Sequence, residues 1–255
     1  MKAVSDRAAT AARAKRVALF VTCVVDQCWP GIGIATARLL EHVGCTVEVG
    51  ETTCCGQPFC NSGYPALARP LAEALIAACE RVDALVLPSG SCAAQVTHYP
   101  QLFTHDPVWR QRAEHLAERT FELSQFLVCR GMAKAPGRLA ARVGWHDGCH
   151  GLRELGVHHQ PRELLRGVEG VEFVELRAAD ACCGFGGTFA VKLPELSVAI
   201  ADHKLAQVEA ARIDVLASGD ASCLLQLRGR LEHRGVSVRT MHLAEVLAHG
   251  LYGPG

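Results

Sequence analysis

The tripeptide Cys-Cys-Gly occurs twice, at Cys54-Cys55-Gly56 and Cys182-Cys183-Gly184, each time between one upstream and one downstream cysteine. The first series is Cys23, Cys54-Cys55, Cys92; the second is Cys149, Cys182-Cys183, Cys223. The steps are 31 and 37 residues in the first series, 33 and 40 in the second. A spacing that recurs over such distances means that one structural unit is written twice, and the period is too long for a solenoid repeat.

The halves align beyond their cysteines. Arg16-Val17-Ala18-Leu19-Phe20-Val21-Thr22-Cys23 matches Arg142-Val143-Gly144-Trp145-His146-Asp147-Gly148-Cys149, and the phrase from Arg119 to Leu127 echoes that from Arg239 to Leu247. Within each half, short apolar runs alternate with helical patterns. Strands are predicted at 17–21, 46–49 and 84–87, then at 143–145, 171–174, 215–217 and 236–239. Helices are predicted at 34–42, 66–81, 162–166 and 194–211. Strands separated by helices imply crossover connections and a parallel sheet. The expected fold class is α/β, in two tandem pseudo-repeated units, each a small parallel sheet flanked by helices. The expected boundaries are a flexible tail over 1–15, a first unit over 16–135 and a second over 136–255.

In this scheme every cysteine of the two series follows a strand. All eight gather at the carboxyl edge of a sheet, where open α/β sheets hold their ligands. Thiolates suit zinc, Cu(I) and iron–sulfur groups. Zinc sites usually use close Cys-x-x-Cys knuckles, and the chain has none. Glycine after paired cysteines allows the tight turn that presents both thiolates to one site. Cys23, Cys54, Cys55 and Cys92, and likewise Cys149, Cys182, Cys183 and Cys223, are therefore the candidate ligands of a metal or cluster.

Composition narrows the alternatives. Lys+Arg and Asp+Glu are 26 each, giving a formal net charge of +0. That balance builds no basic field for nucleic acid or an anionic membrane, and no apolar run is long enough to span a bilayer. Thirteen cysteines are an odd number, which a disulfide scaffold would leave unpaired. Met1–Arg16 lacks the apolar core of a secretory signal. A reducing cytoplasm, with thiolates reserved for metal, fits these features.

Other residues carry blander expectations. Cys45, Cys79 and Cys129 read as small packing hydrophobes. Cys28 and Cys60 neighbour the first series but have no counterpart in the second. His146 and His150 flank Cys149, and a hydrogen bond to a cluster sulfur or loop carbonyl is expected of them rather than ligation. Asp26, Asp147 and Asp180 are expected to hold loops through backbone amides. Gly31-Ile32-Gly33-Ile34-Ala35-Thr36, with Glu48 and Glu51 beyond it, lacks the third glycine of a dinucleotide loop.

Several phrases resemble the cysteine-rich CCG domain family, and more closely its LutA/YkgE-type lactate utilisation proteins. They are Phe20-Val21-Thr22-Cys23, Cys54-Cys55-Gly56-Gln57-Pro58, Asn61-Ser62-Gly63-Tyr64, Pro88-Ser89-Gly90-Ser91-Cys92, Cys182-Cys183-Gly184-Phe185-Gly186-Gly187-Thr188-Phe189 and Met241-His242-Leu243-Ala244-Glu245-Val246-Leu247. The resemblance implies a cytoplasmic iron–sulfur subunit of a three-component system that oxidises L-lactate to pyruvate. It would be active only with two further subunits, one of them ferredoxin-like, and would act on a small 2-hydroxy acid. A broader resemblance links the cysteine-rich subunit of heterodisulfide reductase and the iron–sulfur subunit of glycolate oxidase. The heterodisulfide reductase form ends each unit in Cys-x-x-Cys, and this chain has Ser89 and Asp220 at those positions. Four thiolates per set imply an ordinary [4Fe-4S] cluster, one or two per chain, rather than the five-thiolate noncubane type. A non-catalytic subunit holding metal for assembly is the alternative from another class.

Overall fold

Short apolar runs form most of the strands, and among the described residues five of the helices carry a proline in their first two positions. In the computed structural model, residues 2–50 and 54–251 are described, and they divide into two compact units, residues 1–132 and 133–255. In the first unit the strands are β1 (Arg16–Leu19), β2 (Thr46–Val49), β3 (Ala84–Leu87) and β4 (Thr120–Glu122). Its helices are α1 (Lys2–Arg13), α2 (Cys23–Cys28), α3 (Pro30–His42), α4 (Gln57–Asn61), α5 (Pro65–Ala78), α6 (Gly90–Thr97), α7 (Pro107–Glu118) and α8 (Leu123–Cys129). The second unit holds β5 (Arg138–His146), β6 (Glu169–Val174), β7 (Val215–Ser218) and β8 (Arg239–His242). Its helices are α9 (Cys149–Leu155), α10 (His159–Arg166), α11 (Thr188–Lys192), α12 (Pro194–Ala210), α13 (Ala221–His233) and α14 (Leu243–Leu247).

Both sheets are parallel throughout and share one order, β2-β1-β3-β4 and β6-β5-β7-β8. The two-unit α/β architecture expected from the sequence is the one that forms. The duplication reaches single hydrogen bonds. Asp83 accepts from the backbone N–H of Arg16, and Asp214 does the same for Arg142. Each carboxylate, just ahead of the third strand, thereby ties that strand to the first strand of its unit. The cores are apolar: Val17, Leu19 and Ala84–Leu87 with Leu39, Leu75 and Phe126 in the first unit, and Leu205, Leu216 and Leu227 in the second, are all buried.

Three expectations need correction. The first fifteen residues do not form a solvated tail: Lys2–Arg13 is α1, and Ala11 and Ala14 are buried. Arg7 donates to the carbonyl of Thr120 at 2.6 Å and lies over the Phe121 ring, so this helix packs where an amphipathic segment can cover apolar surface. The fourth strand of the second unit begins at Arg239 rather than Val236, because Val236 and Val238 turn in to pack on the core instead of joining the ladder. The first unit also has a fourth strand, β4, which its polar ends conceal in the sequence.

Candidate metal centre

The strand order fixes where a ligand can sit. The chain leaves β1 toward β2 on one side, then crosses to β3 on the other. The switch point between β1 and β3 opens a crevice at their carboxyl ends, as it does between β5 and β7. Cys23 follows β1 and Cys92 follows β3; Cys149 follows β5 and Cys223 follows β7. Each Cys-Cys-Gly turn comes in from the neighbouring strand, β2 or β6.

In the first unit Cys23 opens α2 and Cys92 lies in the first turn of α6, where the exposed N–H groups of a helix start favour a thiolate. Ser89 caps α6 by accepting the N–H of Cys92 at 3.3 Å. Gly56 has φ +82°, and a Cβ there would stand 2.9 Å from Cβ of Ala68 on α5. Glycine therefore lets the turn both bend and touch the helix. The turn is tied down by three bonds. Gly56 N–H donates to Cys54 Sγ at 3.4 Å, Gln57 Nε2 donates to the Ser91 carbonyl at 3.1 Å, and the buried Tyr99 hydroxyl donates to the Cys55 carbonyl at 2.9 Å. The thiols of Cys23, Cys54, Cys55 and Cys92 lie close enough to perturb one another's ionisation, in that order along the site.

The second unit repeats this plan with different supports. Asp220 caps α13 by accepting from Ser222 N–H and Oγ, at 3.3 and 2.6 Å, which fixes Cys223 in the first turn. Ser89 and Asp220, at the positions of a fifth thiolate in the noncubane pattern, are thus helix caps. Gly184 has φ +85°, and its N–H donates to Cys182 Sγ at 3.4 Å. Ser197 on α12 donates to the Gly184 carbonyl at 2.8 Å. Lys204, also on α12, is fully buried and donates to the carbonyls of Ala178 and Ala179 at 2.9 and 2.8 Å. Cys182, Cys183 and Cys223 are free thiols that lie close enough to perturb one another's ionisation. Cys149 lies within Coulomb reach of Cys223, and its sulfur meets His150 Nδ1 at 3.5 Å.

Packed thiols cannot all ionise unaided. Cys54 is held well below the ordinary thiol range by hydrogen bonds from Cys23 and Cys55, while those same bonds, with burial, push Cys23 and Cys55 up. Cys182 is raised by its bond to Cys183 and by burial. In Cys183 the lowering bond from Cys182 is outweighed by Cys223 and burial. A bound cation supplies the charge that lets all of them become thiolates. Soft donors converging on one crevice, two in each set buried (Cys55, Cys92; Cys183, Cys223), fit a thiophilic metal or an iron–sulfur group.

His146 ends β5 at this crevice and is 1% exposed, with neither ring nitrogen hydrogen-bonded. Its ligand atom and the sulfurs of Cys183 and Cys223 all lie within 4.8 Å of one another. Burial and Lys204 pull its pKa down to about 3, against the attraction of Asp147.

The remaining residues fall away from the sulfurs or take other work. Cys45 and Cys79 are buried packing residues, Cys129 is partly buried on α8, and Cys28 is exposed. Cys60 accepts from Gln95 Nε2 at 3.3 Å. Asp147 does not bind loop amides. It is buried and paired with Arg162 through both oxygens, at 2.9 and 2.7 Å, and accepts from Trp145 Nε1 at 2.7 Å. The Gly31–Thr36 segment lies inside α3, with Gly33 packed on Val21, so it forms no phosphate loop; Glu51 lies outside the described residues. Sequence reasoning missed Tyr99, Lys204 and the Arg162–Asp147 pair. Their signal is weak, because each contacts the site through the backbone or another side chain.

Two parallel sheets, each presenting four cysteines at its switch point, define a two-unit cysteine-rich protein of the metal-binding class. The family model described as "Cysteine-rich domain" (CCG) matches residues 17–97 and 143–228. Lactate utilization protein A of an Exiguobacterium species is 45% identical over 92% of this chain and 98% of its own length. The protein of that name from Halalkalibacterium halodurans is 42% identical over 92% and 97%, and that from Geobacillus kaustophilus 44% over 91% and 98%. A hypothetical protein from Helicobacter pylori shares the fold at 9% identity, with a TM-score of 0.59 over 100% of this chain and 55% of that one. The chain belongs to the cysteine-rich (CCG) domain family and, within it, to the lactate utilization protein A group. Among the described residues, no helix is long and apolar enough to cross a membrane.

Proposed function

We propose that this chain is the iron–sulfur subunit of a three-component cytoplasmic system that oxidises L-lactate to pyruvate. The observation that carries the reading is the convergence of two thiol sets on a fold whose relatives, matched over nearly their whole length, are named for lactate utilisation. Oxidation of lactate to pyruvate releases two electrons and two protons. A bound iron–sulfur group supplies one-electron chemistry, so the two electrons leave singly. The chain's own residues do the holding. Cys23, Cys54, Cys55 and Cys92 form one ligand set, and Cys149, Cys182, Cys183 and Cys223 the other, each for a [4Fe-4S] group. The amides of Gly56 and Gly184 donate to sulfur and offset its negative charge. The half-buried or exposed Cys23, Cys54, Cys149 and Cys182 keep one side of each set near solvent, where a ferredoxin-like partner can exchange electrons. The caps at Ser89 and Asp220 favour this reading over a heterodisulfide-reductase-like one.

Protein prepared without oxygen should be brown and carry iron with acid-labile sulfide; stoichiometric zinc without sulfide would sink the cluster assignment. Deleting the gene should abolish growth on L-lactate. At matched soluble protein levels, Cys79→Ser should restore growth and Cys183→Ser should not. Undiminished growth of the deletion strain would refute the lactate role, and metal retained without any growth phenotype would leave an assembly subunit.

A further inference from the structure

The two centres are not chemical copies of one another. We propose that His146 is a metal ligand of the second centre, taking the place assigned above to Cys149 and joining Cys183 and Cys223, so that this centre is a mixed nitrogen–sulfur site while the first is all sulfur. The inference rests on the reading that the second cysteine set binds metal.

Three observations carry it. The first is placement. His146 is the last residue of β5 and points its imidazole into the crevice with Cys183 and Cys223, the three donor atoms all within 4.8 Å. A tetrahedral ion with bonds of ~2.0–2.3 Å sets its ligands roughly 3.5 Å apart, so a small contraction seats the trio on one ion. Cys149, the expected partner, is turned toward His150 instead. The second is cost. Both His146 ring nitrogens are buried and without a hydrogen bond, and leaving a buried polar group unsatisfied is costly. Coordination satisfies one of the two. The third is the internal control. The repeat places Phe20 where His146 stands, at the offset that pairs Cys23 with Cys149. Phe20 is buried. The fold accepts a hydrocarbon ring at this point, so packing does not demand an imidazole. The backbone does not use the ring either: the His146 carbonyl accepts from Ser218 Oγ at 3.1 Å, and the next N–H goes to Ala179.

The substitution of a neutral imidazole for an anionic thiolate lowers the negative charge of the centre. Nitrogen ligation in place of sulfur raises the reduction potential of an iron–sulfur group. The two sites would then hold electrons at different potentials, with the second site the better acceptor.

The test uses the full chain, prepared without oxygen in a Cys54→Ser/Cys55→Ser background that disables the first set and with histidine labelled with ¹⁵N. Hyperfine spectroscopy of the reduced iron centre, or X-ray absorption at the metal edge where the bound metal is zinc, reads its ligands. A directly coordinated histidine nitrogen is expected. It should vanish in His146→Phe, survive in His150→Phe, and vanish in His146→Cys while the metal is retained. His146→Phe copies the first unit, and His146→Cys offers a sulfur in the same place, so a folding failure of one leaves the other decisive. Metal bound with no coordinated nitrogen, or a nitrogen that survives both substitutions at 146, overturns the ligand assignment and leaves the metal-binding reading intact. A preparation whose second set takes up no metal overturns that reading and this inference with it.

Discussion

Gly184→Ala isolates what the glycine of the Cys-Cys-Gly turn does. Two penalties fall on an alanine there. Gly184 has φ +85°, and an L-residue in the left-handed region is strained by roughly 1–2 kcal/mol. Its Cβ would also lie 2.4 Å from the Ser197 carbonyl oxygen and 3.3 Å from the Ala201 nitrogen. Both are backbone atoms of α12, and ordinary contact begins near 3.4 Å, so turn and helix must separate by about 1 Å. Overpacking of this kind costs typically ~1–3 kcal/mol. The expected loss is about 2–5 kcal/mol. Gly156→Ala is the control: this residue also sits in the second unit, at φ +68° and ψ +26°, with nothing within 4 Å of an added Cβ. It suffers only the backbone penalty, and part of that is recovered because alanine restricts the unfolded chain.

The assay is denaturant unfolding of the metal-free, reduced protein. Trp145 reports on the second unit in a Trp29→Phe/Trp109→Phe background, because two units need not unfold in one transition. Gly184→Ala should fall below Gly156→Ala by about 1–3 kcal/mol, and its turn should hold less metal on reconstitution. Equal losses would refute the close approach of the turn to α12. An unchanged Gly184→Ala would refute the left-handed turn as well.

Arg162→Met should cost about 3–5 kcal/mol, because it strands the buried Asp147 carboxylate; a loss no larger than that of Arg110→Met, on the exposed face of α7, would contradict the pairing. Tyr99→Phe should cost about 1 kcal/mol by leaving the Cys55 carbonyl without its hydroxyl donor, read by the same unfolding measurement followed in the first unit. The metal-free protein should weaken in acid through His146. Its folded pKa of about 3 lies below the unfolded value of 6.5, so the unfolded chain binds the proton first. Stability from this group is complete above pH 6.5 and is lost as the pH falls toward 3. The loss is on the order of 5 kcal/mol, and His146→Phe should flatten this slope; a parallel slope in the variant would show that the imidazole is not buried.

The legible part of the fold is its duplication. Matched spacings and the phrases around Cys23 and Cys149 place the first strand of each unit, and the sheet-edge rule then places the cysteines. Short elements are not legible. β4 is three residues long, with Thr120 and Glu122 at its ends, and no period can be read from three residues. The repeat could have supplied it, since Thr120 aligns with Thr240 of β8. Cys92 and Cys223, which the sequence places only after a strand, sit in the first turns of α6 and α13; Ser89 and Asp220, typical N-cap residues, are the available signal. The Lys204 and Arg162 contacts are hidden for another reason. Both are charged residues on helices, which sequence patterns assign to solvent, and only the third dimension shows that they hold backbone carbonyls and a buried carboxylate.

The duplicated plan makes the differences between the units informative. Shared features are those the geometry demands: the parallel order, the Asp83 and Asp214 clamps, the left-handed glycine, and the amide donated to the first sulfur of each pair. Where the units diverge, the second is consistently more polar beneath its turn. Phe20 gives way to His146 and Val21 to Asp147. Polar burial is costly unless satisfied, and Asp147 is satisfied by Arg162 and Trp145. Lys204 is satisfied by two carbonyls; burial lowers its pKa to about 8, and negative charge on Asp147 and on the thiols of Cys183 and Cys223 favours its charged form. Of these three side chains, only that of His146 has no protein hydrogen bond. A unit that merely stored metal would gain nothing from carrying a cation, an ion pair and an unpartnered imidazole that its twin omits. These residues change the charge around the second set, and charge around a bound group sets its potential. On the proposed iron–sulfur reading, divergence at these positions would give the two sets unequal potentials.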